Sequence, residues 1–174
     1  MEPVEAVLNT FRVEDFLSSE NLDRADEVVK EIFALMFGFE IKPMDTTASA
    51  PSFTESEERT AIVGFSGAMR GCCRISANSI AVKSIASAML GGIPVDDDDD
   101  SIDDALGELC NMFAGGWKNA IPVLAAECAI SPPTVISGYD YRVHIRKPVA
   151  ELARAYRFGD HTLFLKLHCQ TLDG

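Results

Sequence analysis

Asp104, Glu108 and Asn111 follow one another at spacings of four and three residues. On an α-helix that spacing brings them to one side, because residues three and four apart are surface neighbours. Two of the three are carboxylates, able to pair with a cation. The third is an amide, which does not titrate, so it can hold and orient a partner but cannot take its proton. Taking ~100° per residue from Ile102, one face holds Ile102, Leu106, Leu109, Phe113, Trp117, Ala120 and Leu124 and is the expected core side. The opposite face holds Asp104, Glu108, Asn111, Gly115 and Lys118, within an arc of roughly 80°.

The helix that must carry them is expected from Ile102 to about Leu124, with Pro122 kinking it or ending it a few residues early. Ser101 followed by Asp104 has the S-x-x-D form of a capping box. The acidic run Asp96 to Asp100 sits at the positive end of the helix dipole and reads as a solvated, dipole-matched loop. Gly107, Gly115 and Gly116 in a helix interior cost ~1 kcal/mol each relative to Ala, and Asn111 adds up to ~0.7 kcal/mol. The sum, roughly 3–4 kcal/mol, is a sizeable fraction of a domain's stability. Gly116 falls toward the core side, where close packing accounts for it. Gly107, Ala114 and Gly115 are expected to leave the outer face nearly bare around Glu108 and Asn111, so that another molecule's backbone could approach closely. On spacing alone the face reads equally as a protein-binding patch or as a plain helix.

Other elements are expected around this helix. Val4, Val7, Leu8 and Phe11 have helical spacing, and residues 1–22 are read as a tail or short helix ahead of a single domain spanning 23–174. Ala25 to Phe37 reads as a helix with the stripe Val28, Ile32, Leu35 and Met36, stopped by Gly38. Pro43 to Glu58 has no period and reads as a loop. Thr60 to Ser66 and Gly71 to Ser76 read as a hairpin joined by Gly67 to Arg70. Asn78 is placed to cap a helix from about Ser79 to Leu90. Ser131, Pro132 and Pro133 break the chain. Tyr141, Val143 and Ile145 alternate with Arg142, His144 and Arg146, the period of a strand. Leu152 to Phe158 and His161 to Gln170 complete a hairpin through Gly159 and Asp160, with Leu163, Leu165 and Leu167 facing the core. The fold class is mixed α/β of the α+β type, a largely antiparallel sheet packed against helices, with one long motif-bearing helix.

Composition narrows the function. The chain has 174 residues, with 27 Asp and Glu against 15 Lys and Arg, a net charge of -12. Nucleic acid and anionic membrane surfaces favour basic proteins, so neither is an expected partner. No stretch reaches ~18 apolar residues, and the N-terminus has no basic region of a signal peptide. Five cysteines without a C-x-x-C pair are expected to be free thiols in a reducing cytoplasm. Cys110 is expected to be a buried, inert thiol rather than a nucleophile. The three histidines show no ligand spacing with the cysteines, and no metal site is expected.

Asp104-x-x-x-Glu108-x-x-Asn111 resembles the D/S-x-x-x-E-x-x-N signature of the CheC/CheX/FliY group of chemotaxis phosphatases. The flanking Gly107 to Met112, Ala114-Gly115, and the segment Ser131 to Gly138 containing Pro133 resemble the CheX type. CheC-type members carry two copies of E-x-x-N; here the first helix, around Glu31 to Ala34, lacks the Asn, which points to the single-motif type. The resemblance covers about residues 25 to 170. It implies a cytoplasmic phosphatase acting on the phosphoaspartate of a CheY-like response regulator. Glu108 and Asn111 are then the catalytic residues, Asn111 orienting a water and Glu108 pairing with a regulator lysine. Asp104, Gly107 and Gly115 are partner contacts, and Pro133 shapes a turn. The resemblance further implies no cofactor in this chain, Mg²⁺ in the regulator, and dimers through sheet edges. The competing reading is a non-catalytic module that binds a phosphorylated regulator or a flagellar-switch component.

Overall fold

The computed structural model describes residues 11–44, 58–96, 100–146 and 148–172. The expected helix around Val4, Val7 and Leu8, and most of the loop after Pro43, lie outside those residues. A single turn, α1 (Val13–Phe16), leads into α2 (Ser19–Ile32). Ser18 starts α2 by accepting the Asn21 backbone N–H at 3.1 Å. Helix α2 therefore begins six residues earlier than the periodicity predicts. It ends in a π-turn, Phe33–Phe37, closed by Gly38 at φ 67°. The buried stripe is Ala25, Val29, Ile32, Phe33 and Phe37 rather than the expected one. Leu35 is 82% and Met36 50% exposed. The buried face is set within α2 by Ala25, Val29 and Ile32, and Phe33 and Phe37, four and eight residues after Val29, continue it inward.

Seven strands then form one antiparallel sheet: β1 (Lys42–Met44), β2 (Glu58–Gly67), β3 (Met69–Asn78), β4 (Cys128–Ile130), β5 (Thr134–Gly138), β6 (Ala150–Phe158) and β7 (His161–Leu172). The order is β1-β6-β7-β3-β2-β4, with β5 also on β2. The β2–β3 hairpin is tighter than expected, since both strands run into the predicted connection and leave only Ala68 between them. Gly67 turns the chain at φ 108°, and a Cβ there would lie 2.0 Å from the Glu127 carbonyl oxygen. The β6–β7 hairpin forms as expected through Gly159 and Asp160. Ala61, Val63, Cys73, Ile75, Leu163, Leu165 and Leu167 alternate onto the inner face and are buried.

β4 and β5 were not legible as strands. Both pair with β2, β4 at Phe65–Gly67 and β5 at Glu58–Ile62. They are two halves of one edge, interrupted at Pro132 and Pro133, which have no N–H to give a ladder. Ser131 holds the break to β2. Its N–H donates to the Gly64 carbonyl and its Oγ accepts the Gly64 N–H, both at 2.9 Å. In the other direction, the expected strand through Tyr141, Val143 and Ile145 does not form. The residues keep the in–out alternation but find no ladder. The Tyr141 hydroxyl instead donates to Thr60 Oγ1 at 2.8 Å, on the sheet face away from the core.

Helix α3 (Ser79–Met89) is capped as predicted, Asn78 accepting the Ala81 N–H at 2.8 Å. The long helix α4 (Ser101–Asn119) lies across the inner face of the sheet, and α5 (Pro122–Glu127) follows. Pro122 does not kink α4; it opens α5 at its first turn, where a missing N–H costs nothing. Leu124 thus belongs to a separate helix. Trp117 is fully buried among Phe11, Phe16 and Phe65, with ring centroids 6.3, 6.0 and 5.6 Å away. Its Nε1 donates to Asn21 Oδ1 at 2.9 Å. Within α4 the predicted core side is the one observed, with Ile102, Leu106, Leu109, Phe113 and Trp117 all buried, whereas Ala120, at the C-cap, is exposed.

Candidate functional site

Burying that apolar stripe turns the opposite side of α4 outward. Asp104 and Glu108 are exposed and Asn111 is half-buried. Among the described residues none of the three is engaged by a side-chain hydrogen bond or ion pair. All three are available to another molecule.

The start of α4 departs from the expected capping box. Asp100, not Ser101, occupies the N-cap, and it makes no side-chain cap bond. Asp104 sits one residue beyond the N3 position of a box and is released from capping. Asp97 to Asp99 lie outside the described residues. The first turn is held differently. Arg59, on β2, is only 7% exposed, and its Nη1 donates to Asp103 Oδ1. Its Nε donates to Ser79 Oγ at 3.0 Å, at the first residue of α3. One guanidinium thereby ties a central strand to the starts of two helices. Sequence reasoning missed Arg59 and Asp103, because a contact spanning 44 residues leaves no local signal.

The interrupted edge shapes the next turn. Pro133 and Val135 press against α4 at Gly107, where an added Cβ would lie 3.4 Å from Pro133 Cγ and from Val135 Cγ2. This corrects the expected bare surface. Gly107 and Ala114 are buried, so neither is open for a partner backbone. Only Gly115 matches that expectation, with Ile130 Cδ1 3.9 Å from an added Cβ. Gly116 is exposed yet tightly approached, its would-be Cβ 2.9 Å from Val28 Cγ1 of α2.

An open depression results, lined by Asp103, Asp104, Gly107, Glu108, Pro133 and Val135. It has carboxylates along one wall and a proline and a valine along the other. Asn111 is not part of its lining; it stands one helical turn beyond Glu108. Val135 is a lining residue that the sequence did not single out, because β5 itself was not recognised.

No cysteine joins this face. Cys110 is buried with its Sγ 3.6 Å from the Ala61 carbonyl oxygen and 3.8 Å from Cys73 Sγ. Burial pushes the Cys73 thiol well up, and its hydrogen bond with Cys110 adds to the shift. Burial also raises Cys72 and Cys169 to about 11. Such thiols carry little thiolate at neutral pH and are poor nucleophiles. Among the described residues no group of His, Cys, Asp and Glu is arranged to hold a metal ion. No helix among them is long and apolar enough to cross a membrane.

The profile of the family described as Chemotaxis phosphatase CheX matches residues 59–153, more than half of the chain. That span includes Arg59, all of α4 and the Pro133 turn. A protein of Thermotoga maritima named CheY-P phosphatase CheX is 34% identical over 82 residues, 47% of this chain and 53% of that protein. The chain thus spans about half the length of this relative. Among solved structures, the chemotaxis protein CheX of Vibrio vulnificus superposes with a TM-score of 0.71 at 19% identity, covering 87% of this chain and 97% of that one. The CheX-CheY-BeF3-Mg+2 complex of Borrelia burgdorferi gives a TM-score of 0.65 at 19% identity, covering 87% and 96%. These structural likenesses are in fold, and they agree with the antiparallel sheet and helices described above.

Proposed function

The chain belongs to the chemotaxis phosphatase CheX family, and from that premise we propose that it accelerates hydrolysis of the phosphoaspartate of a CheY-like response regulator. The observation that carries the reading is the joint presentation of Glu108 and Asn111 on one outward side of α4, neither engaged within the described chain. Two polar side chains with no side-chain bond within the described residues, at the spacing of the family signature, are poised for an external partner. The Thermotoga maritima relative bears the name of such a phosphatase, and the Borrelia burgdorferi structure is of a CheX bound to a CheY.

An acyl phosphate is already activated, so hydrolysis needs chiefly a water held in line with the bond that breaks. Asn111 is a neutral amide with both donor and acceptor, and it supplies that orientation without taking a proton. Orienting one water is worth on the order of 3–4 kcal/mol of barrier. Glu108, exposed one turn earlier, pairs with a lysine beside the regulator's phosphoryl group and sets the pose of the complex. Asp104, freed from capping, adds a second carboxylate to the docking wall. Gly115 lets the regulator backbone close on the helix beyond Asn111. Gly107 and Pro133 line the depression and give it its shape. The Mg²⁺ that neutralises phosphoryl charge belongs to the regulator.

The test loads the response regulators of the source organism with phosphate and follows its release with this protein added. Accelerated release by the wild type, lost in a folded Asn111→Ala protein, supports the reading. Binding to the phosphorylated regulator with no acceleration would leave the non-catalytic docking module in its place.

A further inference from the structure

We propose that Arg59 is a positioning residue of this site: by gripping Asp103 it fixes the roll of α4 about its own axis and thereby the aim of Glu108 and Asn111. The inference rests on the phosphatase reading. Asp103 is in the first turn of α4 and immediately precedes Asp104. With Asp103 drawn inward to Arg59, Asp104 is turned ~100° away from it and faces outward. Glu108 and Asn111 follow at four and three residues on that side.

The anchor is built to be rigid. Arg59 sits on β2, which is paired on both sides, to β3 through Ala77 and to β5 through Ser137. Its planar fork engages Asp103 and Ser79 together, an arrangement a lysine cannot reproduce. A partly buried ion pair adds little net stability, because the desolvation of Arg59 offsets its attraction to the half-exposed Asp103. Its better-attested use is to select one register over others. Helix α4 needs such a device, since it starts without a side-chain cap.

The pair also sorts charge. Asp103, Asp104 and Glu108 all line one depression. Arg59 neutralises Asp103 from beneath and leaves the other two to meet the regulator's cation. Without Arg59, Asp103 is free to swing into the depression and compete for it.

The test follows regulator dephosphorylation against regulator concentration, using the full chain with Arg59→Gln, Arg59→Lys or Asp103→Ala. Thermal midpoints and the Asn111 side-chain amide resonances are recorded on the same samples. Asp103→Ala guards against a failure of Arg59→Gln to fold, because Ala is the best helix former at a half-exposed helix position. A displacement of ~1 Å costs about a hundredfold in rate. Arg59→Gln and Asp103→Ala should therefore lower kcat by about ten- to a hundredfold with the Asn111 resonances shifted, and Arg59→Gln should also raise KM, because Glu108 loses its aim and the freed Asp103 competes for the regulator's cation. Arg59→Lys should recover part of kcat. Wild-type kcat with unmoved resonances in folded Asp103→Ala would overturn the assignment. So would a loss explained wholly by unfolding at the assay temperature. A wild type inactive on every regulator would sink the phosphatase reading, while the resonances would still decide whether Arg59 positions Asn111.

Discussion

Gly107 of the motif helix and Pro133 of the interrupted strand meet so closely that a Cβ on the glycine would lie 3.4 Å from the proline Cγ. The helix meets the edge of the sheet where that edge is broken by a residue that cannot donate to a ladder. A single methyl fits at contact distance and removes the ~1 kcal/mol helix penalty of glycine. Gly107→Ala should therefore leave stability within ~1 kcal/mol of wild type. Gly107→Leu must push Pro133 and Val135 aside and should cost about 1–3 kcal/mol. Denaturant unfolding checks both, and an unchanged midpoint for Gly107→Leu would mean that the contact is loose.

Gly115 separates stability from function. Among the described residues an added methyl there meets only Ile130, at 3.9 Å, so Gly115→Ala should stabilise the protein by up to ~1 kcal/mol. If the regulator backbone closes on this position, the same substitution should raise KM. A more stable protein with unaltered kinetics would place the partner elsewhere.

What could be read in the sequence was local. The core stripe of α4, the Asn78 cap and the Leu163–Leu165–Leu167 strand announce themselves by period and by cap chemistry. The outward side of α4 follows from its stripe, so Asp104, Glu108 and Asn111 were placed correctly on one face. The bareness of that face was overestimated, because Gly107 is covered by Pro133, a neighbour brought in by β5. The strands β4 and β5 are short, and prolines part them. The buried face of α2 runs through Ala25, Val29, Ile32 and Phe33, so Leu35 and Met36 turn outward although their spacing from Val28 and Ile32 also reads as a stripe. Tyr141, Val143 and Ile145 have a strand's alternation without a partner strand, and alternation alone does not supply one. Arg59 and Asp103 meet only once the sheet has formed.

The buried amide at Asn21 links the N-terminal turns to α4. Its Oδ1 accepts from Trp117 Nε1 at 2.9 Å, and its Nδ2 donates to the Phe16 carbonyl at 2.8 Å. Asn21→Ala strands a buried indole N–H and a carbonyl, each worth about 1–3 kcal/mol when left unsatisfied. The protein should lose at least ~2 kcal/mol in urea unfolding, with Trp117 emission altered in the folded state. A loss below ~0.5 kcal/mol would show that water replaces the amide.

His168 should make stability fall with acid. Burial holds its imidazole below the ordinary value; Glu151, with Oε2 3.0 Å from Nδ1, opposes the shift, while Arg74 and Lys166 add to it. The folded state then binds the proton less readily than the unfolded one. The contribution is present above the unfolded value of ~6.5 and is lost as pH falls through the lower folded value. Urea unfolding between about pH 7.5 and 5 should show a decline that His168→Leu flattens. An equal slope in both proteins would remove His168 as the cause.

In the proposed reaction Asn111 orients the attacking water while Glu108 sets the docking. Steady-state dephosphorylation of a cognate phosphorylated regulator, with binding of the same regulator measured in parallel, tests it most directly. Asn111→Ala should cut kcat by about a hundred- to a thousandfold and leave binding nearly unchanged. Glu108→Ala should act mainly by weakening binding. A folded Asn111→Ala protein that turns over at the wild-type rate would contradict the account.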